Sequence, residues 1–133
     1  MRVQIPPLRR IGAFVFLSLA LSAAAMAGDC DEALRFEEEI NRTLPRDIDA
    51  ATELVQVRVN CATRTLSYIK RIFLFPDEMA PGWQERKQRQ FVQLHCNARG
   101  LASVQGWTVR DEVFDPDYNH LVTLRAAPAD CRN

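Results

Sequence analysis

Four cysteines, Cys30, Cys61, Cys96 and Cys131, punctuate this chain at separations of 31, 35 and 35 residues. An even number of widely spaced cysteines in a small domain reads as a disulfide framework if the compartment is oxidising. A structural zinc site would instead bring ligands in close pairs such as C-x2-C. No such pair occurs, and His95 and His120 are the only histidines that could join a metal set. The expectation is two disulfides, no metal and no cofactor.

The N-terminus supplies the oxidising compartment. Arg2, Arg9 and Arg10 precede an almost unbroken apolar run of 14 residues, Ile11 to Ala24, and Ala25-Met26-Ala27 follows. That is the charged, apolar and small-x-small order of a secretory signal peptide. The run falls short of the about 20 residues a membrane-spanning helix needs. Asp29 precedes Cys30 and is neither small nor neutral, so Cys30 reads as a disulfide cysteine and not as an acylated one. The expected organisation is a cleaved leader, 1–27, and one domain, 28–133, in the periplasm or secreted. Removing the leader takes away three arginines and no acid, leaving 14 basic against 17 acidic residues. A nucleic-acid binder would be strongly basic. No second apolar stretch is long enough to span a bilayer.

Periodicity gives the element order. Asp29 and Glu32 resemble an N-cap and its partner three positions on. Ala33, Phe36, Ile40 and Leu44 fall at near-helical spacing, so a helix is expected over 30–43, ended by Pro45. Glu37, Glu38 and Glu39 would be its solvated face. Residues 44–52 read as a connection, with Ile48 dipping into the core. Val55, Val57, Val59 and Cys61 alternate with polar residues and predict a strand. Ala62-Thr63-Arg64 is a turn, and a second strand is expected over 65–74, with Leu66, Tyr68, Ile72 and Leu74 on one side. Lys70 interrupts that side, through a snorkelling stem or a bulge. Phe75 to Gly82 reads as a loop. A second helix is expected over 83–99, with Trp83, Phe91, Leu94 and Ala98 buried and Gly100 as its C-cap. Strands are expected over 106–114, where Asp111 interrupts Trp107, Val109 and Val113, and over 120–126.

The order α-β-β-α-β-β suggests an α+β fold: a four-stranded antiparallel sheet with both helices on one face. That layout would bring Cys131 to Cys96 and Cys30 to Cys61, since bridging needs Cα atoms within about 7 Å.

No motif carries a catalytic assignment. Ser67 and Ser103 lie outside any nucleophile elbow, no C-x-x-C redox pair exists, and no glycine-rich phosphate loop occurs. His95 and His120 read as packed or surface residues, and Trp83 and Trp107 as core or rim aromatics. The polar run Gln84 to Gln90 offers Arg86, Lys87 and Arg89 as a partner surface.

Leu44-Pro45, Ile48-Asp49, Thr52, Leu54, Leu66-x-Tyr68, Cys96, Gly100 and Ala129-Asp130-Cys131 together resemble a family of small exported proteins of Gram-negative bacteria with no assigned activity. The resemblance implies an envelope location and an α+β fold, and supplies no catalytic residues. Lys70 and Asp111 depart from it, in strands that the family fills with aromatic or apolar residues. The functional expectation is a non-enzymatic exported binding or accessory protein with a protein partner in the envelope. A secreted virulence or colonisation factor and a small hydrolase of cell-wall or extracellular substrates are the alternatives.

Overall fold

The computed structural model describes residues 30–132; the leader, its cleavage site and Asp29 lie outside them. The chain divides between Glu32 and Ala33 into two units. Of the first, residues 30–32 are described; they are helical, and Cys30 is disulfide-bonded. The helix runs over 30–41 (α1). Five strands follow in the second unit: β1 Arg46–Asp49, β2 Thr52–Asn60, β3 Thr65–Ile72, β4 Thr108–Phe114 and β5 His120–Ala126. Helix α2, Trp83–His95, lies between β3 and β4.

The strands form one sheet in the order β1-β2-β3-β4-β5. The α+β class holds, but the expected four-stranded antiparallel sheet is corrected in two respects. Residues 46–49 are a strand and not a connection, and they pair with β2. Ile48 does not dip into the core; it is 45% exposed. Four charged or exposed residues cannot show an apolar alternation, so β1 carries no periodic signal. The second correction is the parallel pairing of β3 with β4. The chain reaches β4 from β3 through α2 and re-enters the sheet in the same direction, as a helical crossover allows.

Apolar residues of the four longer strands converge on one face. In register across it lie Val57, Tyr68, Asp111 and Leu124, with Val59, Leu66, Val109 and Ala126 as the row beside them. Val57, Val109 and Ala126 are fully buried. The opposite face is mostly polar, with Arg58, Ser67, Arg110 and Arg125 sharing one row and Ile69 and Phe114 among the other rows. The β2 register shifts between Leu54 and Gln56, so both Leu54 and Val57 point inward despite their odd spacing. The irregularity belongs to β2, while β3 runs past Lys70 in continuous register with β4.

Both helices keep only part of the apolar stripes expected of them: Ala33, Ile40 and Trp83 are half-buried and Phe91 is buried, but polar side chains turn inward beside them. In α1, Phe36 is 38% exposed, while Glu37 and Asn41 point inward. β1 is too short to cover all of β2, and the bare edge is closed by those two side chains. Asn41 Nδ2 donates to Val57 O at 2.8 Å and its Oδ1 accepts from Val57 N at 2.9 Å. Glu37 Oε2 accepts from Val59 N at 2.5 Å. Glu37 therefore leaves the solvated face on which Glu38 and Glu39 remain. The β5 edge is closed in the same way. Gln88 Nε2 donates to Arg125 O at 2.7 Å, and Gln88 Oε1 accepts from Arg125 N at 3.0 Å. A side-chain amide offers one donor and one acceptor, so it satisfies a strand residue as a neighbouring strand would. Asn41→Ala leaves both groups of Val57 without those partners. It is expected to lower stability by about 1–3 kcal/mol, read as a denaturation midpoint.

Helix α2 ends at His95, with Cys96 as its C-cap, four residues before the expected end. Leu94 is 61% exposed, and Ala98 lies outside the helix. The buried face is carried by Phe91, flanked by half-buried Gln88, Val92 and His95. Gly100 is not the C-cap. It packs against the helix end so closely that a Cβ would lie 2.0 Å from the His95 carbonyl oxygen. That carbonyl also accepts bonds from Ala102 N and Ser103 N, both at 3.1 Å. Cys96 and Cys131 are bridged, with Cα atoms 5.1 Å apart. Cys61 is also disulfide-bonded, and no described cysteine is free.

Candidate functional site

Between α2 and the inner face of the sheet lies a cleft of about 220 Å³. Its floor is the inner face, with Ile72, Val113, Val122 and Leu124. Met79, Trp83 and Lys87 form one wall, and Ile48, Asp49 and Thr52 the other. Lys70 and Asp111 line it as well.

Those two residues are the interruptions in otherwise apolar strand faces. They meet: Lys70 Nζ donates to Asp111 Oδ2 at 2.5 Å. Parallel pairing sets Lys70 opposite Val113 and Tyr68 opposite Asp111, so the ion pair runs diagonally between β3 and β4. Lys70 does not snorkel at a sheet edge, and the bulge beside it belongs to the neighbouring strand: the β2 irregularity between Leu54 and Gln56 lies opposite Lys70 and Ile69. The Asp111 side chain is 8% exposed against 23% for Lys70. Asp111 Oδ1 is buried without a hydrogen-bond partner in the protein. Burial raises the Asp111 carboxyl above its ordinary range, and the Lys70 ammonium and the His95 ring oppose that shift. Burial and the Asp111 charge raise the Tyr68 phenol. Burial lowers His95, whose ring stands edge-on to Phe91 with centroids 4.5 Å apart.

The two histidines do not converge. His95 lies under α2 on the inner side. His120 stands on the outer side, 3.0 Å from Thr123 Oγ1 and 3.4 Å from Glu112 Oε2. Ser67 lies in the outer-face row, and Ser103 Oγ is engaged by Asn97 O at 2.6 Å. Trp83 lines the cleft, whereas Trp107 is buried at 5% exposure under the Arg64 guanidinium. Arg86, Lys87 and Arg89 are all exposed; Lys87 also lines the cleft, and Arg86 Nη1 donates to Pro81 O at 2.7 Å. Among the described residues no group of three or more His, Cys, Asp or Glu could hold a metal. No described helix is long and apolar enough to cross a membrane.

Sequence reasoning missed the cleft as a site. The available signal was the pair of opposite charges at Lys70 and Asp111, each replacing an apolar residue on an inward face. Pairing them required knowing that β3 and β4 are neighbours.

No protein-family model matches the chain, and no curated protein matches it in sequence. The fold is similar to that of a solved structure, the pilotin EpsS of the Vibrio vulnificus type 2 secretion system. The TM-score is 0.55 at 9% identity, over 74% of this chain and 87% of that one. At this identity the two share a backbone arrangement.

Proposed function

We propose that this chain is a non-enzymatic accessory protein of the bacterial envelope that holds part of a protein partner in the cleft between α2 and the sheet. The observation that carries the reading is the cleft itself: an apolar floor with mixed walls around one buried ion pair. At about 220 Å³ it is smaller than the roughly 300–1,000 Å³ of pockets for whole small ligands. It suits a few side chains inserted by a larger partner. The leader-like N-terminus and the disulfides support export. The similarity to a pilotin, a component of a secretion system by its own description, supports an accessory role in the envelope. Separation of the two histidines on opposite sides of the sheet weighs against the hydrolase alternative.

Site-specific photo-crosslinking in the native host tests this. A crosslinker at Met79, on the cleft wall, is expected to give one discrete adduct, and one at Arg58 on the outer face none. Val122→Trp, which fills the cleft, should abolish the Met79 adduct while a thermal melt shows the variant folded. Failure to obtain the adduct, or its persistence in Val122→Trp, would overturn the reading.

A further inference from the structure

The end of the sheet where β1, β3 and β4 finish carries an unusual surface. Phe73, Leu74, Phe75 and Tyr118 are 41%, 36%, 41% and 54% exposed. Arg71 ties two of them together, its guanidinium lying 5.4 Å from the Phe73 ring and 5.0 Å from the Tyr118 ring. Its charge is met by Glu53 at 3.2 Å. Tyr118 projects from a backbone in the left-handed region, φ 62°. Asp115 fixes that turn by accepting bonds from Asp117 N, Asn119 N and Asn119 Nδ2 at 2.8–3.1 Å. Burial alone would raise the Asp115 carboxyl, but the Asn119 and Asp117 bonds outweigh it and hold the group below its ordinary range. The ring is thus presented on a braced turn.

Exposed acids rim these apolar groups. Asp77 and Glu78 follow Phe75, Asp117 precedes Tyr118, and Asp49 stands at the adjoining cleft wall beside exposed Ile48. Large apolar groups grouped at the surface mark interaction sites, and the acidic rim selects the sign of what covers them. An anionic membrane surface would be repelled by that rim.

We infer that this end of the sheet docks a segment of a protein partner bearing both apolar and basic side chains. The apolar ones lie over Phe73, Phe75 and Tyr118, and the basic ones over the acids. The inference rests on the reading of the chain as a partner-binding protein and names that partner's chemistry.

The probe is a 14-residue amphipathic peptide of leucine and lysine, compared with its leucine and glutamate counterpart. Both are titrated into protein purified from a host expressing the full chain and followed by amide NMR. The lysine peptide should shift residues 48, 73–78 and 117–118, and the glutamate peptide should bind at least about tenfold more weakly. The triple variant Asp77→Asn, Glu78→Gln, Asp117→Asn should weaken the lysine peptide at least about tenfold, and Phe73→Ser with Tyr118→Ser should remove binding. The triple variant Glu32→Gln, Glu38→Gln, Glu39→Gln removes as much charge from α1 and should change affinity less than about twofold, since the effect depends on charges near the bound segment. Shifts centred elsewhere, or equal weakening by the α1 variant, overturn the inference. A Met79 crosslink that persists in the Asp77, Glu78 and Asp117 variant would show that the cleft reading survives on its own.

Discussion

Lys70→Met is expected to destabilise the domain by about 3–5 kcal/mol at pH 8, the usual cost of removing one partner from a buried ion pair. It strands the Asp111 carboxylate, whose side chain is 8% exposed. The penalty should shrink on acidification. Asp111 has a folded-state pKa already raised above its ordinary value by burial, and loss of Lys70 raises it further. A carboxyl with a raised folded pKa binds its proton more readily when folded. The relative stability is therefore fully present below about pH 3.8 and is lost as pH rises through the folded value. The double variant Lys70→Met, Asp111→Leu removes both charges and should be neutral or stabilising, with a flatter profile from pH 4 to 8. Urea midpoints across that range decide the matter. A single variant that costs under about 1 kcal/mol at pH 8 would mean the pair is solvated as a surface pair is.

Replacing Cys96 and Cys131 together by alanine is the second large effect. The bridge closes a loop across a sequence separation of 35 residues, which the chain-entropy relation values at about 4 kcal/mol. A loss of about 2–4 kcal/mol corresponds to a fall in Tm of roughly 10–25 °C for a domain of this size. The position of the bridge adds a local consequence. It joins the C-cap of α2 to the residues after β5, so its removal should release that end of α2 first. Hydrogen exchange should then accelerate at Val92 to Cys96 more than in β2 and β3. A uniform acceleration through the sheet would show that the bridge acts on the whole domain alone.

The strands and helices with repeating apolar patterns were legible in the sequence. β5 runs over His120–Ala126 as its alternation indicates, and β2 with β3 forms the antiparallel pair that the two alternating runs and their short turn describe. The α+β class followed from those elements, and the two disulfides from the number and spacing of the cysteines. β1 was not legible, because Arg46-Asp47-Ile48-Asp49 is exposed throughout and owes its conformation to backbone bonds with β2. The buried faces of the helices were legible only in part, for a related reason. Periodicity counts apolar residues, whereas Glu37, Asn41 and Gln88 are drawn inward by unpaired strand groups.

What the sequence determined by itself was local: where the backbone extends, where it coils, and that its thiols are suited to pairing. Tertiary structure decided the parallel pairing of β3 with β4, and with it the meeting of Lys70 and Asp111, 41 residues apart. It also decided the cleft above them. An isolated charge in a strand shows that a local rule is broken, and only the neighbouring strand supplies the opposite charge that makes burying it tolerable.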